Sequence, residues 1–285
     1  KVIGGSPDTQ FPTQLIRMAD VRDHAAWAHI AATQAAALKK DWSAVRRELS
    51  LADGWPNDPH ALAWGAMVAE RLQEPGCRAR FLARHVALVD DPAKRLELTR
   101  LFLEQHNVQE AEEQLRLLLR QSPDHAEGLL LQGIFCMQRE QYESAEAAFG
   151  AALRQGAERR KCLMGMGMAA MGRGYAQGAW ERFCDVLADR PDDAEAIHWL
   201  LRAGTVQNRW QELSQLLHSY VKRNPGDLAS RFAYASVLLR AEQIHAARHE
   251  YDALVRVAPT YDGLEQLSRA ISGREAVLAM EPASS

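Results

Sequence analysis

The stretch Cys162–Trp180, CLMGMGMAAMGRGYAQGAW, carries Gly165-x-Gly167-x-x-Ala170, the glycine spacing of a dinucleotide-binding turn. Glycines in such a turn let the backbone approach a pyrophosphate where a strand ends and a helix opens. That chemistry needs a strand before Gly165, and no strand-like alternation precedes it. A second spacing with chemical meaning is His245-x-x-x-His249, which puts two imidazoles on one helical face as zinc-binding helices do. The HExxH order is missing and no third ligand is evident, so the pair reads as a solvated face. Cys77, Cys136, Cys162 and Cys184 are separated by 59, 26 and 22 positions with no Cys-x-x-Cys, which describes buried small apolar residues and not a metal or redox centre. There is no G-x-S-x-G and no phosphate loop ending in Gly-Lys-Ser/Thr. The chain is therefore expected to be non-catalytic, with no cofactor and no metal.

Composition narrows the partners. With 285 residues, 47 % of them hydrophobic, the chain is long enough to bury a sizeable core in one large domain or two ordinary ones. Its 34 basic and 37 acidic residues leave a net charge of −3, which argues against nucleic acid and anionic membranes as partners. No apolar run approaches the roughly 20 residues of a spanning helix, so no membrane insertion is expected. The expected compartment is cytoplasmic; periplasmic is the alternative, because the chain starts at Lys1 and not Met. Arginine outnumbers lysine and alanine is abundant, a composition associated with bacterial proteins.

The elements that hold these residues follow from a repeat. Pro123, Pro191, Pro225 and Pro259 are separated by 68, 34 and 34 residues. A shift of 34 aligns Ala111, Ala145, Ala179 and Ala247, then Leu115, Phe149, Phe183, Leu217 and Tyr251, then Leu118, Ala152, Val186, Tyr220 and Leu254. Each period contains two apolar stripes at three-and-four spacing split by a short polar turn, which predicts two helices per repeat. Each proline stands where the second helix must stop, and the acidic residue after it offers a cap to the next. With starts at residues 58, 92, 126, 160, 194 and 228, Gly167 falls inside a first helix, which removes it from any phosphate turn. A less regular repeat runs from about His24 to Asn57, with Trp42 at its bend.

In this frame the chain resembles the tetratricopeptide repeat (TPR) family. The family's small residue at position 8 falls on Gly65, Gly133, Gly167 and Ala235, its alanine at 20 on the alanine column, and its proline at 32 on the four prolines. Cys77 and Leu213 at position 20, and Val89 and Ala157 at 32, depart from that pattern. The resemblance implies an all-α, right-handed α-solenoid of about seven helical hairpins over residues 24–261. Residues 1–23 would be an N-terminal extension or cap, and 262–285 a C-terminal capping helix and tail.

The family's concave face is formed chiefly by positions 2, 5, 9, 12 and 13 of each first helix. The resemblance thus implies a peptide-binding surface of Leu130, Ile134 and Met137, then Met164, Met168 and Met171, then His198 and Arg202, with Phe232 continuing it. Methionines adapt to varied apolar partners, and Gly165 and Gly172 would leave room for a ligand's backbone or a large side chain. The competing reading is that the methionine stripe packs against a neighbouring helix. Inner positions supply Lys161, Arg202 and Arg240 but no Asn, and Glu97, Glu104 and Glu127 are also inner, so the family's basic clamp for a C-terminal carboxylate is not expected. The expected function is a protein-interaction scaffold that binds an apolar peptide or helix. The alternatives are a self-assembling structural subunit and an accessory domain of a larger protein. Leu15, Ile16 and Met18 add an apolar N-terminal segment that either docks on the superhelix, its own or a neighbour's, or caps the first repeat.

Overall fold

The computed structural model describes residues 24–280, and the N-terminal extension with Leu15, Ile16 and Met18 lies outside that range, as do 281–285. The described residues form fifteen α-helices, one 3-10 turn and no strand. Seven hairpins follow one another: α1 (His24–Leu38) with α2 (Trp42–Ser50), α3 (Pro59–Arg71) with α4 (Pro75–Leu88), α5 (Pro92–Glu104) with α6 (Val108–Gln121), α7 (Ala126–Gln138) with α8 (Tyr142–Arg154), α9 (Arg159–Gly172) with α10 (Ala176–Asp189), α11 (Ala194–Val206) with α12 (Trp210–Arg223), and α13 (Leu228–Arg240) with α14 (Ile244–Val257). A single helix, α15 (Leu264–Met280), ends the series. The glycines of the opening motif lie inside α9, which follows helix α8 and a short turn, so no strand-to-helix phosphate turn exists there.

The first helix of every hairpin stops in the same way. The residue after its C-cap is left-handed, with φ between 56° and 76° at Lys40, Gln73, His106, Glu140, Gly174, Asn208 and Glu242. Its N–H and the next one reach back to two carbonyls of the last turn, as in His106 N to Leu103 O (3.0 Å) and Asn107 N to Phe102 O (2.8 Å). These turn residues correct the register. They are 34 apart from His106 onward but 33 apart before it. Counted back from its turn at Lys40, the first hairpin is framed from Ala26 and not His24, which puts Thr33 at position 8 and Val45 at position 20, both fully buried. Thr33, like Thr99 at the same position two repeats on, satisfies its hydroxyl on the carbonyl four residues back, at 2.7 and 2.8 Å.

Starts are set by capping. Asp58, Asp91, Asp193 and Asp227 accept the N–H three residues ahead at the openings of α3, α5, α11 and α13, and Asp41 does so for α2. At α7 the cap is His125, whose Nδ1 accepts from Gly128 N–H at 3.1 Å, and not the expected Asp124.

The chain divides at Gly128 into two compact units. In the first, Trp55 stacks on Trp64 (5.5 Å) and meets Phe81 edge-on (4.7 Å), over a core that includes Leu49, Leu62, Leu82 and Leu98. Arg84 holds the link between the first two hairpins through the carbonyls of Ala52 and Trp55. In the second, one core runs from Leu163 and Phe183 through Leu200, Leu217 and Leu238 to Leu267 and Ile271 of α15.

The glycines are explained by aromatic rings of the chain itself. A Cβ on Gly133 would lie 2.6 Å from one edge of the Phe149 ring, and a Cβ on Gly165 would lie 2.6 Å from the other. Gly167 receives Phe183 in the same manner (2.5 Å), Gly172 receives Tyr142 (2.4 Å), and Gly65 receives Phe81 (2.7 Å). The space that Gly165 and Gly172 were expected to leave for a ligand is thus filled by Phe149 and Tyr142 of α8. Each ring brings two helices into close contact, which offsets the roughly 1 kcal/mol that a glycine costs inside a helix.

Candidate functional site

The inner-face residues of the second unit separate by depth. Leu130 and Met164 are 4 % exposed and belong to the interior. For these two, the packing alternative describes the side chain; they support the face from beneath. Ile134, one turn on from Leu130, is 41 % exposed. Met137 is half-buried, and Met168 and Met171 pack partly on the core with the rest of their surface open. Trp199, Phe232 and Leu239 do the same on α11 and α13, and Phe232 also meets Tyr261 with ring centroids 5.5 Å apart. His198 and Arg202 are exposed. The result is a band of half-open apolar side chains, rich in methionine and aromatic residues, with polar groups along α11.

Trp199 is the residue that column counting missed, because it stands at position 6, one beyond the inner column. Its indole stacks on the buried Phe183 at 6.0 Å. The Arg202 guanidinium lies over it, 4.6 Å from the ring centroid, and His198 meets it edge-on at 6.2 Å. The signal was present in the three-residue spacing of Trp199 and Arg202, which makes them neighbours on a helix surface.

The ion pairs show which charges are already engaged. Arg160 clasps Asp193, whose side chain is 7 % exposed, and reaches Glu195 at 2.7 Å. Hydrogen bonds from Arg160 hold the Asp193 carboxyl below its ordinary pKa despite burial, and hydrogen bonds to Asp193 and Glu195 raise that of the guanidinium. Lys161 pairs with Glu158 at 2.8 Å. Arg202 and Arg240 have no carboxylate within ion-pair distance among the described residues.

The first unit has a different groove, of about 480 Å³, lined by Glu70, Arg78, Leu96, Glu97, Arg100 and Glu104 among others. Arg78 bridges Glu70 (3.0 Å) and Glu97 (2.7 Å), Lys94 also holds Glu97 (2.9 Å), and Arg100 holds Glu127 (2.5 Å). Burial raises the Glu97 pKa, but Lys94 and Arg78 outweigh it and bring the carboxyl below its usual range. Apart from Glu104 its charges are mutually satisfied, so the groove offers little unpaired charge to a ligand.

The remaining motifs fall outside any site. His245 and His249 are exposed on α14, and among the described residues no three His, Cys, Asp or Glu side chains converge as metal ligands would. Cys184 borders a small apolar hollow of about 350 Å³ with Leu187, Ile197 and Leu216, where burial and Asp185 push its thiol up to about 11. That value keeps it protonated and unreactive at neutral pH. No helix among the described residues is long and apolar enough to cross a membrane.

No protein-family profile matches the sequence. No curated protein matches it either. Solved structures do. The C-terminal part of a TPR repeat-containing protein from Cytophaga hutchinsonii superposes with a TM-score of 0.63 over 78 % of this chain and 93 % of that one, at 12 % identity. YrrB, described as a TPR protein with an unusual peptide-binding site, gives 0.58 over 67 % and 99 % at 14 % identity. PilW, described as a type IV pilus biogenesis factor, gives 0.55 over 73 % and 97 % at 17 % identity. The chain therefore has the tetratricopeptide repeat fold, an all-α solenoid, as its repeat pattern indicated.

Proposed function

We propose that this chain is a non-catalytic protein-interaction scaffold whose second unit binds an apolar peptide or helix on its inner face. The observation that carries the reading is the band formed by Ile134, Met137, Met168, Met171, Trp199, Phe232 and Leu239, in which apolar side chains rest on the core and keep part of their surface open. A scattered exposed apolar residue needs no explanation, but α7 and α9 both carry part-open apolar side chains at positions 9 and 12, and α11 and α13 add Trp199, Phe232 and Leu239. Methionines suit it because their unbranched, polarisable chains adapt to the contour of a guest, and an apolar helix face or extended segment is the guest such a surface fits. YrrB, which shares the fold, carries a peptide-binding site.

The test is selection from a random displayed peptide library against the full chain, followed by replacement of Met168 and Met171 together by Lys. We expect the selected peptides to lose binding to the double variant while its helical circular dichroism is retained, since both side chains are only partly buried. Met164 is left unchanged because it belongs to the core. Peptides that bind the variant as well as they bind the wild type would place the binding surface elsewhere.

A further inference from the structure

We propose that the segment received by this inner face is acidic as well as apolar, with carboxylates beside the apolar anchor that are taken by Arg202, Arg240 and Arg274. The inference rests on reading the face as a peptide site, and it adds the chemistry that selects the peptide. Arg202 stands at position 9 of α11, Arg240 at position 13 of α13, and the same count carried into α15 puts Arg274 at position 13. All three are exposed, and none has a carboxylate partner among the described residues. This is not a general feature of the unit's arginines. Arg159, Arg160, Arg173, Arg223 and Arg248 each hold an Asp or Glu, and the others without a carboxylate among the described residues, Arg154, Arg190 and Arg256, stand at the ends of second helices and not on the inner columns. Nor is it general basicity, because the chain as a whole carries −3.

The face lacks its own counter-charge. On the inner positions of α9, α11 and α13 the acidic residue is Glu195, and Arg160 occupies it at 2.7 Å; the remaining base, Lys161, is neutralised by Glu158. What is left uncompensated is positive and adjoins Trp199, Phe232 and Leu239. The Arg202 Cζ lies over the Trp199 indole, 4.6 Å from its centroid, which limits the side chain's rotamers while leaving N–H groups for a carboxylate. A neutral or basic guest covering this band would strip water from the guanidinium groups with no return, whereas an acidic one pairs with them.

The test compares peptides selected from the same random library on the wild-type chain and on Arg202→Glu/Arg240→Glu, with circular dichroism to verify that the exposed replacements keep the fold. Wild-type selection should enrich Asp and Glu next to apolar residues, and selection on the variant should lose that enrichment. A wild-type-selected peptide should bind about tenfold more weakly when its acids are changed to amides, and to a similar degree on Arg202→Gln/Arg240→Gln. Added salt should weaken it further. Apolar peptides without excess acid, lost on the Met168/Met171 variant but indifferent to the arginines, would overturn this inference and leave the apolar-face reading standing. Selection of no peptide would sink both. Arginine-dependent binding of a single-stranded oligonucleotide in place of any acidic peptide would overturn the assignment of the partner as a protein segment.

Discussion

At the scale of single residues, glycines in helices divide by what stands opposite them. Gly167 faces the Phe183 ring, which is 0 % exposed and cannot retreat, and an added Cβ would sit 2.5 Å from it. The overpacking cost of about 1–3 kcal/mol exceeds the nearly 1 kcal/mol of helix propensity gained, so Gly167→Ala should lower stability in chemical denaturation. Gly273 lies within α15 with nothing within 4 Å of its Cβ position. Gly273→Ala should therefore raise stability by up to about 1 kcal/mol, because only the propensity term remains. The sequence showed the two glycines as the same residue in a helix, and the ring opposite one of them decides the sign. Depth decides among the methionines too: Met164 is sealed, while Met168, one turn later, keeps an open side.

At the scale of elements, the recurring turn and the caps carry the testable chemistry. The left-handed residue that ends each first helix is a glycine once, Gly174, and elsewhere a residue with a Cβ, such as His106 (φ 61°) or Glu140 (φ 57°). A left-handed L-residue costs roughly 1–2 kcal/mol, part of which glycine returns as unfolded-state entropy. His106→Gly and Glu140→Gly should each raise the thermal midpoint modestly, equivalent to about 0.5–1 kcal/mol. Asp193 caps α11 and pairs with Arg160 in the preceding hairpin. Because the Arg160 hydrogen bond depresses its folded pKa, its ionised form contributes stability that is complete above an ordinary aspartate pKa, about 4, and is lost as the pH falls through the depressed value. Asp193→Asn keeps a capping side chain and loses the pair. It should cost about 1 kcal/mol at neutral pH and flatten the acid limb of the pH–stability curve below about pH 4. Asp193→Ala should cost about a further 1 kcal/mol by losing the cap.

At the scale of the whole molecule, the fold depends on stacking of neighbouring hairpins, each of which leaves apolar surface that only the next can cover. No disulfide joins the described cysteines, and no cluster of ligands holds a metal among the described residues. Chelator and reductant should leave the thermal midpoint where it is. Ala247 is 0 % exposed in the second unit's core, at the small position where α14 meets its neighbours. Ala247→Glu adds both volume and an unpaired charge there, and should destabilise by about 3 kcal/mol or more, read as a lowered midpoint and lost cooperativity. A midpoint that instead falls with chelator alone would show a bound ion to be part of the fold.

The sequence by itself determined the repeat, the two helices in each period and their stops; of the acidic residues that follow Pro123, Pro191 and Pro225, only Asp227 is the cap, with His125 and Asp193 taking that place at α7 and α11. These signals are local: a proline or an Asp acts on the turn it occupies, and a 34-residue period repeats the same local instructions. Helical spacing put positions 5, 9 and 12 on one side of each first helix, and the resemblance to tetratricopeptide repeats implied that this side is the inner one. Only the tertiary structure decided what each inner residue does. Position 5 is buried at Leu130 and Met164, half-buried at Phe232 and exposed at His198, because its depth is set by the side chains of adjoining helices and not by its own place in the period. The Phe149 ring clasped between Gly133 and Gly165, and the Arg202 guanidinium resting on Trp199, belong to the same class. Both depend on how large side chains of one helix meet small or flat ones of another, which is a property of packing and has no period of its own.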